Sequence, residues 1–297
     1  MPPEVSVCIP TYNRRDYLKE ALASVFAQTY EDYEVVIVDD GSTDGTKEML
    51  EDAGYNVRYQ RTDHIGQSAA RNELIRLAQG EYISFLDSDD VLFPDTVERL
   101  VRVIDAYGPH VFAYGWYVGM DENGNETPTR QRKLPAGDIV PELFGFIYVK
   151  SCGTLCAKRM YEQAGGFDTT LTRCATYRLL LELSLKYKFI PVEGPTYKKR
   201  RHGDNVLDQS FAGRKAECDV LEDFYYRCGG KDVIPRRQAM KRLSQEAYRS
   251  GRAAMREGLP REAWASFRQS FRRHPNVKSL IHLSRTAMQL CWYKSAT

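Results

Sequence analysis

Apolar positions in the first hundred residues follow two alternating periods. Val5-Ser6-Val7-Cys8-Ile9, Tyr33-Glu34-Val35-Val36-Ile37-Val38 and Tyr82-Ile83-Ser84-Phe85-Leu86 are nearly continuous apolar runs. Such runs predict interior strands of a parallel sheet, because a strand covered on both faces need not alternate. Between the first two, Tyr17, Leu18, Ala21, Leu22, Val25 and Phe26 recur at helical spacing and predict a helix with one apolar face. A further helix is expected from Lys47 to Asp52, N-capped by the Ser/Thr/Asp residues of the preceding loop, and another after Pro94. Strand, helix, strand in succession predicts an α/β fold.

The remainder divides in two. Residues 109–205 carry shorter strands such as Val111 to Tyr117, a turn at Asp121 to Asn125 and a helical pattern from Tyr177 to Tyr187. The polar stretch Arg130 to Gly137 reads as a mobile surface loop. From Val206 the pattern is helical, and Gly251 to Pro275 reads as one helix-turn-helix pair, too few to make a repeat array. The expected domains are therefore 1–205, with halves 1–108 and 109–205, and a helical region 206–297.

Candidate chemistry lies where the first three strands end. The third runs into Asp87-Ser88-Asp89-Asp90, and like charges so close are costly unless a cation neutralises them. Carboxylates spaced i, i+2 suit a hard ion such as Mg²⁺ or Mn²⁺, which completes its shell with water and phosphate oxygens. A solvated acidic turn capping the next helix is the competing reading. The second strand ends in Asp39-Asp40-Gly41-Ser42-Thr43-Asp44-Gly45, the first in Pro10-Thr11-Tyr12-Asn13. In an open α/β sheet such carboxyl-terminal loops converge on one crevice.

These blocks, with Gly66-Gln67-Ser68-Ala69-Ala70-Arg71-Asn72 between them, resemble glycosyltransferase family 2 in order and spacing, over about Val5 to Asn205. The resemblance implies the GT-A fold, a Rossmann-like nucleotide-sugar-binding domain with a mixed, mostly parallel sheet, here followed by a C-terminal helical appendage. It implies metal-dependent, inverting transfer of a sugar from a nucleotide-diphosphate donor, UDP-linked first of all, to a glycan or lipid-linked hydroxyl in surface polysaccharide or glycoconjugate assembly. Residue by residue, Asp40 would accept a hydrogen bond from the base, Pro10, Thr11 and Tyr12 would wall it, Tyr12 by stacking, and Asn13 would belong to the same nucleotide-sugar site. Arg71 would reach the nucleotide, with a surface salt bridge as the alternative. Asp87 and Ser88 would face the ribose, Asp87 and Asp89 would form the D-x-D pair, and Asp89 would ligate the ion. His202 would add a phosphate or metal contact, though an isolated histidine is more often structural.

One position departs from the family. After the turn Gly165-Gly166-Phe167-Asp168 the family places a Glu-Asp pair whose Asp deprotonates the acceptor; here the pair is Ala175-Thr176. A positioned base supplies ~10²–10⁴-fold in rate. Asp168 and Glu182 are the nearest substitutes, Asp168 expected to cap its turn and Glu182 to point away. A sugar-nucleotide binder that has lost its base is thus a second reading. A nucleotidyltransferase is disfavoured, since no Gly-rich phosphate loop bearing Lys or Arg opens the chain.

Composition narrows the partners. A net charge of +2 over 297 residues gives no footprint for nucleic acid. Seven cysteines without paired spacing predict reduced thiols rather than zinc, and no apolar run approaches a membrane span. A core strand starting almost at once leaves no room for a signal peptide, so a cytoplasmic location is expected. After Glu262 no acidic residue occurs, while Arg268, Arg272, Arg273, Lys278, Arg285 and Lys294 alternate with apolar residues. That helix either lies on an anionic membrane surface or packs on the protein with its arginines in water.

Overall fold

The computed structural model describes residues 2–129, 133–203 and 209–295, with side chains to residue 288. The chain forms two compact units, one of residues 1–139 and 147–205, the other of residues 140–146 and 206–297.

The first unit begins β1 (Val5–Thr11), α1 (Arg15–Phe26), β2 (Tyr33–Asp39), α2 (Thr46–Asp52), β3 (Arg58–Arg61), α3 (Gln67–Leu77) and β4 (Tyr82–Phe85). β5 (Val91–Leu92), α4 (Thr96–Tyr107), β6 (Val111–Met120) and β7 (Glu126–Thr127) follow. After α5 (Val140–Gly145), which belongs to the other unit, come β8 (Thr154–Ala157), α6 (Lys158–Gln163), α7 (Ala175–Ser184) and β9 (Lys188–Arg200). The strands make one mixed sheet in the order β3-β2-β1-β4-β8-β6-β9-β5, with β7 on β6. β3, β2, β1 and β4 are mutually parallel, whereas β8 is antiparallel to both its neighbours.

The parallel quartet positions the site. β1 to β3 advance in one direction, and β4 then returns to the other side of β1. The loops after β1 and β4 therefore part in opposite directions and leave a crevice at the carboxyl ends of the strands. Val35 to Val38 and Tyr82 to Phe85 are buried, as continuous apolar runs require. Leu18, Ala21, Leu22 and Val25 of α1 are buried too, but Phe26 is exposed and stacks on Tyr55 instead.

Other expectations needed revision. α2 starts at Gly45, whose left-handed φ of +84° ends the loop without any side-chain cap from that residue. Asp44 instead accepts hydrogen bonds from the Thr46 amide and hydroxyl, at 3.2 and 2.6 Å. α7 spans Ala175–Ser184, starting earlier and ending sooner than its apolar pattern. The supposedly mobile stretch is pinned where it is described: Gly137 and Phe189 exchange backbone hydrogen bonds of 2.8 and 2.9 Å, and the Tyr114 hydroxyl donates to Pro135 O at 2.5 Å. Residues 130–132 lie outside the described residues. The turn at Asp121 is as expected, its carboxylate capping the amides of Asn123 and Asn125.

In the second unit, α5 joins α8 (Phe211–Arg227), α9 (Gly230–Val233), α10 (Arg236–Arg256), α11 (Pro260–Arg273) and α12 (Val277–Ser295). Ala254, Ala263 and Phe267 form one buried cluster in it, and Leu221, Phe224, Leu243 and Ala247 are buried as well. Gly251 lets α10 and α11 close, since a Cβ there would sit 2.7 Å from the Phe267 ring. The described cysteines are free thiols, and no helix among the described residues is long and apolar enough to cross a membrane.

Candidate active site

A cavity of about 620 Å³ opens in that crevice, lined by Pro10, Thr11 and Tyr12 from β1 and its loop, Asp40 after β2, and Asp87, Ser88 and Asp89 after β4. The sequence-predicted residues of three separate loops thus meet in one place. Tyr12 is 44 % exposed and its ring lies 4.4 Å from that of His64, giving the cavity an aromatic wall. Asn13 is not among the lining residues; it receives the Thr43 amide at 2.8 Å and gives its own amide to Ser42 Oγ at 2.8 Å, stitching two loops together.

Asp40 is buried, and its carboxylate organises the far wall. Oδ1 accepts from the Ile65 amide at 2.6 Å and the Thr62 hydroxyl at 2.8 Å, and Oδ2 from the Gly66 amide at 2.9 Å. Four acceptor sites serve these three donors, and His64 Nδ1 stands 3.6 Å from Oδ2. Gly66, at φ +92°, turns the chain into α3.

α3 delivers Arg71, which is buried rather than at the surface. Its Nη2 donates to Asp87 Oδ1 at 2.6 Å, and its guanidinium lies 5.6 Å from the centre of the Phe167 ring. Beside it, Asn72 donates to Phe167 O at 2.8 Å and accepts the Phe167 amide at 2.7 Å. A Cβ on Gly166 would lie 2.5 Å from Asn72 Oδ1, and φ there is +74°, so the Gly-Gly-Phe-Asp turn requires glycine at this point.

Asp89 is held from two sides. Arg14 Nη1 lies 3.0 Å from its Oδ2, His202 Nε2 lies 2.9 Å from the same oxygen, and the two nitrogens are 2.6 Å apart. His202 is buried and stacks on Tyr17 at 5.1 Å. Arg14 and His64 escaped the sequence reading, whereas Asp90 belongs to the acidic run after β4, and Lys199 and Arg200 to the basic run that precedes His202. Lys199 lines the cavity, while Arg200, one residue on, is buried and donates to Asp89 O at 3.1 Å.

Asp90 is fully buried, receives the Arg200 amide at 2.9 Å through Oδ1, and has Lys199 Nζ 3.8 Å from Oδ2. Burial pushes its carboxyl up to about 7, against the opposing pull of Lys199. Burial also works against charge on Lys199, but Asp90, Asp87 and Asp89 outweigh it and raise that ammonium above its ordinary value.

Divalent-metal ligands are partly gathered. Asp89 and His202 converge, Asp87 lines the same cavity, and carboxylate oxygen with imidazole nitrogen is a donor set that Mn²⁺ accepts. No trio of His, Cys, Asp or Glu among the described residues is clustered tightly enough to enclose an ion, and Arg14 and Arg71 stand against the two carboxylates.

Acceptor-side candidates lie elsewhere. Asp168 and Glu182 share a second cavity of about 390 Å³ with Gly166, Phe167 and Arg178. Asp168 accepts from the Thr170 hydroxyl at 2.6 Å and amide at 2.9 Å, which holds its carboxyl below the usual range. Glu182 lines that cavity and not the first one, and is paired with Arg178 at 2.6 Å. Thr176, in the first turn of α7, is half-buried and lines neither cavity.

This arrangement is that of the GT-A fold. Residues 6–168 match the family model for glycosyl transferase family 2, and the chain belongs to that family. An uncharacterized glycosyltransferase of Rickettsia conorii is 30% identical over 229 residues, covering 73% of this chain and 37% of that protein. The chain spans between 33% and 57% of the length of the first curated relatives it matches. Among solved structures, Staphylococcus aureus TarS 1-349 in complex with UDP superposes with a TM-score of 0.57 at 19% identity, over 93% of this chain and 90% of that one. The mannosyltransferase PcManGT of Pyrobaculum calidifontis, in complex with GDP-Man and Mn²⁺, gives 0.55 at 18% identity, over 97% and 81%. At these identities the structural likeness speaks for the fold alone.

Proposed function

We propose that the chain transfers a sugar from a nucleoside-diphosphate sugar, UDP-linked in the first instance, to a hydroxyl of a glycan or lipid-linked acceptor, with inversion. The observation that carries this is the convergence of Tyr12, Asp40, Asp87 and Asp89 on one cavity at the switch point of a parallel sheet. In this reading the base stacks against Tyr12 and His64 and hydrogen-bonds Asp40 Oδ2. Asp87 and Ser88 face the ribose, while Lys199 and Arg14 provide positive charge for the diphosphate. Asp89, with Asp87 and His202, would hold a divalent ion, which as a Lewis acid would draw charge from the diphosphate leaving group. Nucleotide complexes in two relatives of the same fold, one of them with Mn²⁺, support the donor class.

The test is thermal stabilisation by UDP, GDP and their sugar conjugates, with Mn²⁺ or with EDTA. Ligand at a hundredfold its dissociation constant contributes about 2.7 kcal/mol. Stabilisation by one nucleotide, larger with Mn²⁺ and losing its metal-dependent part in Asp89→Ala, is the expected outcome. Equal stabilisation in EDTA and Mn²⁺ would remove the metal role, and no stabilisation by any nucleotide would overturn the donor site.

A second reading, a sugar-nucleotide binder with impaired transfer, is favoured by the acceptor side. Thr176 carries no acid, Asp168 is committed to Thr170, and Glu182 to Arg178. Single-turnover transfer by the unmodified chain discriminates the two.

A further inference from the structure

The second unit carries a cleft that sugar transfer does not use. It has a volume of about 630 Å³ and lies along one stripe of α10, closed by the end of α11 and the start of α12. Lys241, Arg249, Arg252, His274 and Lys278 line it, and no carboxylate does. Arg249 is paired with the buried Glu246, which Arg242 also holds. Lys241, Arg252 and Lys278 are exposed along the cleft and have no ion-pair partner among the described residues, so its lining is positive and solvent-facing. Like charges gathered this way repel, and an anion in the cleft would relieve them. The floor is polar but saturated: the Ser244 hydroxyl donates to Ser270 O and the Ser270 hydroxyl to Ser244 O, both at 2.8 Å.

The cleft continues into an apolar surface. Val277 lines it and is 71 % exposed, and Leu280 and Ile281, next on the same helix, are 47 % and 44 % exposed. On a water-facing helix, large apolar side chains set beside unpaired cations match a ligand that is itself anionic at one end and apolar at the other. A soluble anion would satisfy Lys241, Arg252 and Lys278 but leave Val277, Leu280 and Ile281 in water.

We infer that this cleft is a docking site for the phosphate headgroups of an acidic phospholipid surface, with Val277, Leu280 and Ile281 entering the headgroup and acyl boundary. It is independent of the donor cavity, since every residue it uses belongs to the helical unit.

The experiment is co-sedimentation of the full chain with vesicles of phosphatidylcholine, alone or with about 30 mol% phosphatidylglycerol, the lipid whose charge attracts basic segments. Binding is expected only to the acidic vesicles, and raising salt to about 0.5 M should release most of it. The triple variant Lys241→Gln, Arg252→Gln, Lys278→Gln should weaken partitioning by about one hundredfold, at about fivefold per cation near the surface. Arg261→Gln, an exposed cation of α11 outside the cleft, should weaken it no more than about fivefold. Leu280→Ser with Ile281→Ser should remove the residual binding that survives high salt. Circular dichroism of each variant separates lost binding from lost folding, and the Leu280→Ser, Ile281→Ser pair gives a second readout that does not touch the cations. Equal binding to neutral vesicles, or a triple variant no weaker than Arg261→Gln, overturns the inference. So does protection by inorganic phosphate at low millimolar concentration with no gain from vesicles, which would make the cleft a site for soluble phosphate.

Discussion

Arg14 Nη1 lies 3.0 Å from Asp89 Oδ2, so the carboxylate at the centre of the candidate metal site already has a cation against it. Two positive charges cannot share that oxygen without repulsion, and Mn²⁺ must compete with the guanidinium. Arg14→Ala should therefore tighten Mn²⁺ binding several-fold, read by the quenching of its free electron paramagnetic signal. Weaker binding would mean that Arg14 orients Asp89 for the ion instead of opposing it.

Arg71→Ala removes the buried partner of Asp87, which is 28 % exposed at its side chain. Breaking a fully buried pair costs about 3–5 kcal/mol, and partial solvation of Asp87 should reduce this to about 2 kcal/mol. Urea denaturation reads it. Arg71→Lys should recover little, because a point charge cannot reproduce the planar contact over Phe167.

Gly166→Ala sets a methyl group 2.5 Å from Asn72 Oδ1 at a φ of +74°. Strain of this kind costs about 1–3 kcal/mol. Adding Asn72→Ala should relieve the clash but not the backbone term, so the double variant is less destabilised than the sum of the two. Strict additivity in denaturation would show that the contact is not shared.

Thr176→Asp would place a carboxylate where the sequence resemblance expects the acceptor's base. Transfer should rise at least about tenfold, a fraction of the ~10²–10⁴ available to a positioned base, with donor affinity unchanged. If the unmodified chain turns over quickly and gains nothing, Asp168 and Glu182 become the groups to substitute.

Asp90 makes stability depend on pH. Its folded carboxyl, raised to about 7 by burial, lies above the ordinary carboxylate value of 3.8, so the folded state holds the proton more tightly between those limits. Its contribution is complete below the lower value and is lost as pH rises through the upper one. Asp90→Asn should flatten the melting temperature between pH 4.5 and pH 7.5, a window inside which only the native carboxyl titrates. An unchanged slope would assign the dependence to other groups.

The parallel quartet was legible because burial on both faces leaves an unbroken β-branched run, as in Val35 to Val38. The loops Tyr12, Asp40, Asp87 and Asp89 were legible because α/β geometry sends strand ends to one side. β9 was not: Pro191 and Pro195 read as strand breakers, yet the strand accommodates them with register shifts against β6 between Tyr114 and Tyr117. Arg14 stayed hidden because a single cation carries no period, and its importance comes only from the carboxylate that folding brings to it. Asn13 misled for the converse reason, since its place in a motif concealed a purely local task of joining two loops.

The excursion of the chain at Val140–Phe146 bears on how such a protein could be taken apart. After Ile139 it leaves the sheet-bearing unit, gives α5 to the helical one, and returns at Ile147. There Arg242 donates to Phe144 O at 3.1 Å and Gln238 to Pro141 O at 2.6 Å, and Leu143 and Phe144 are buried. The helices are therefore not a bead that can be clipped from the string. A single cut near residue 205 would leave α5 behind as an apolar stub, and a graft of the helical unit onto another sheet would have to carry those seven residues with it, spliced into the middle of the host.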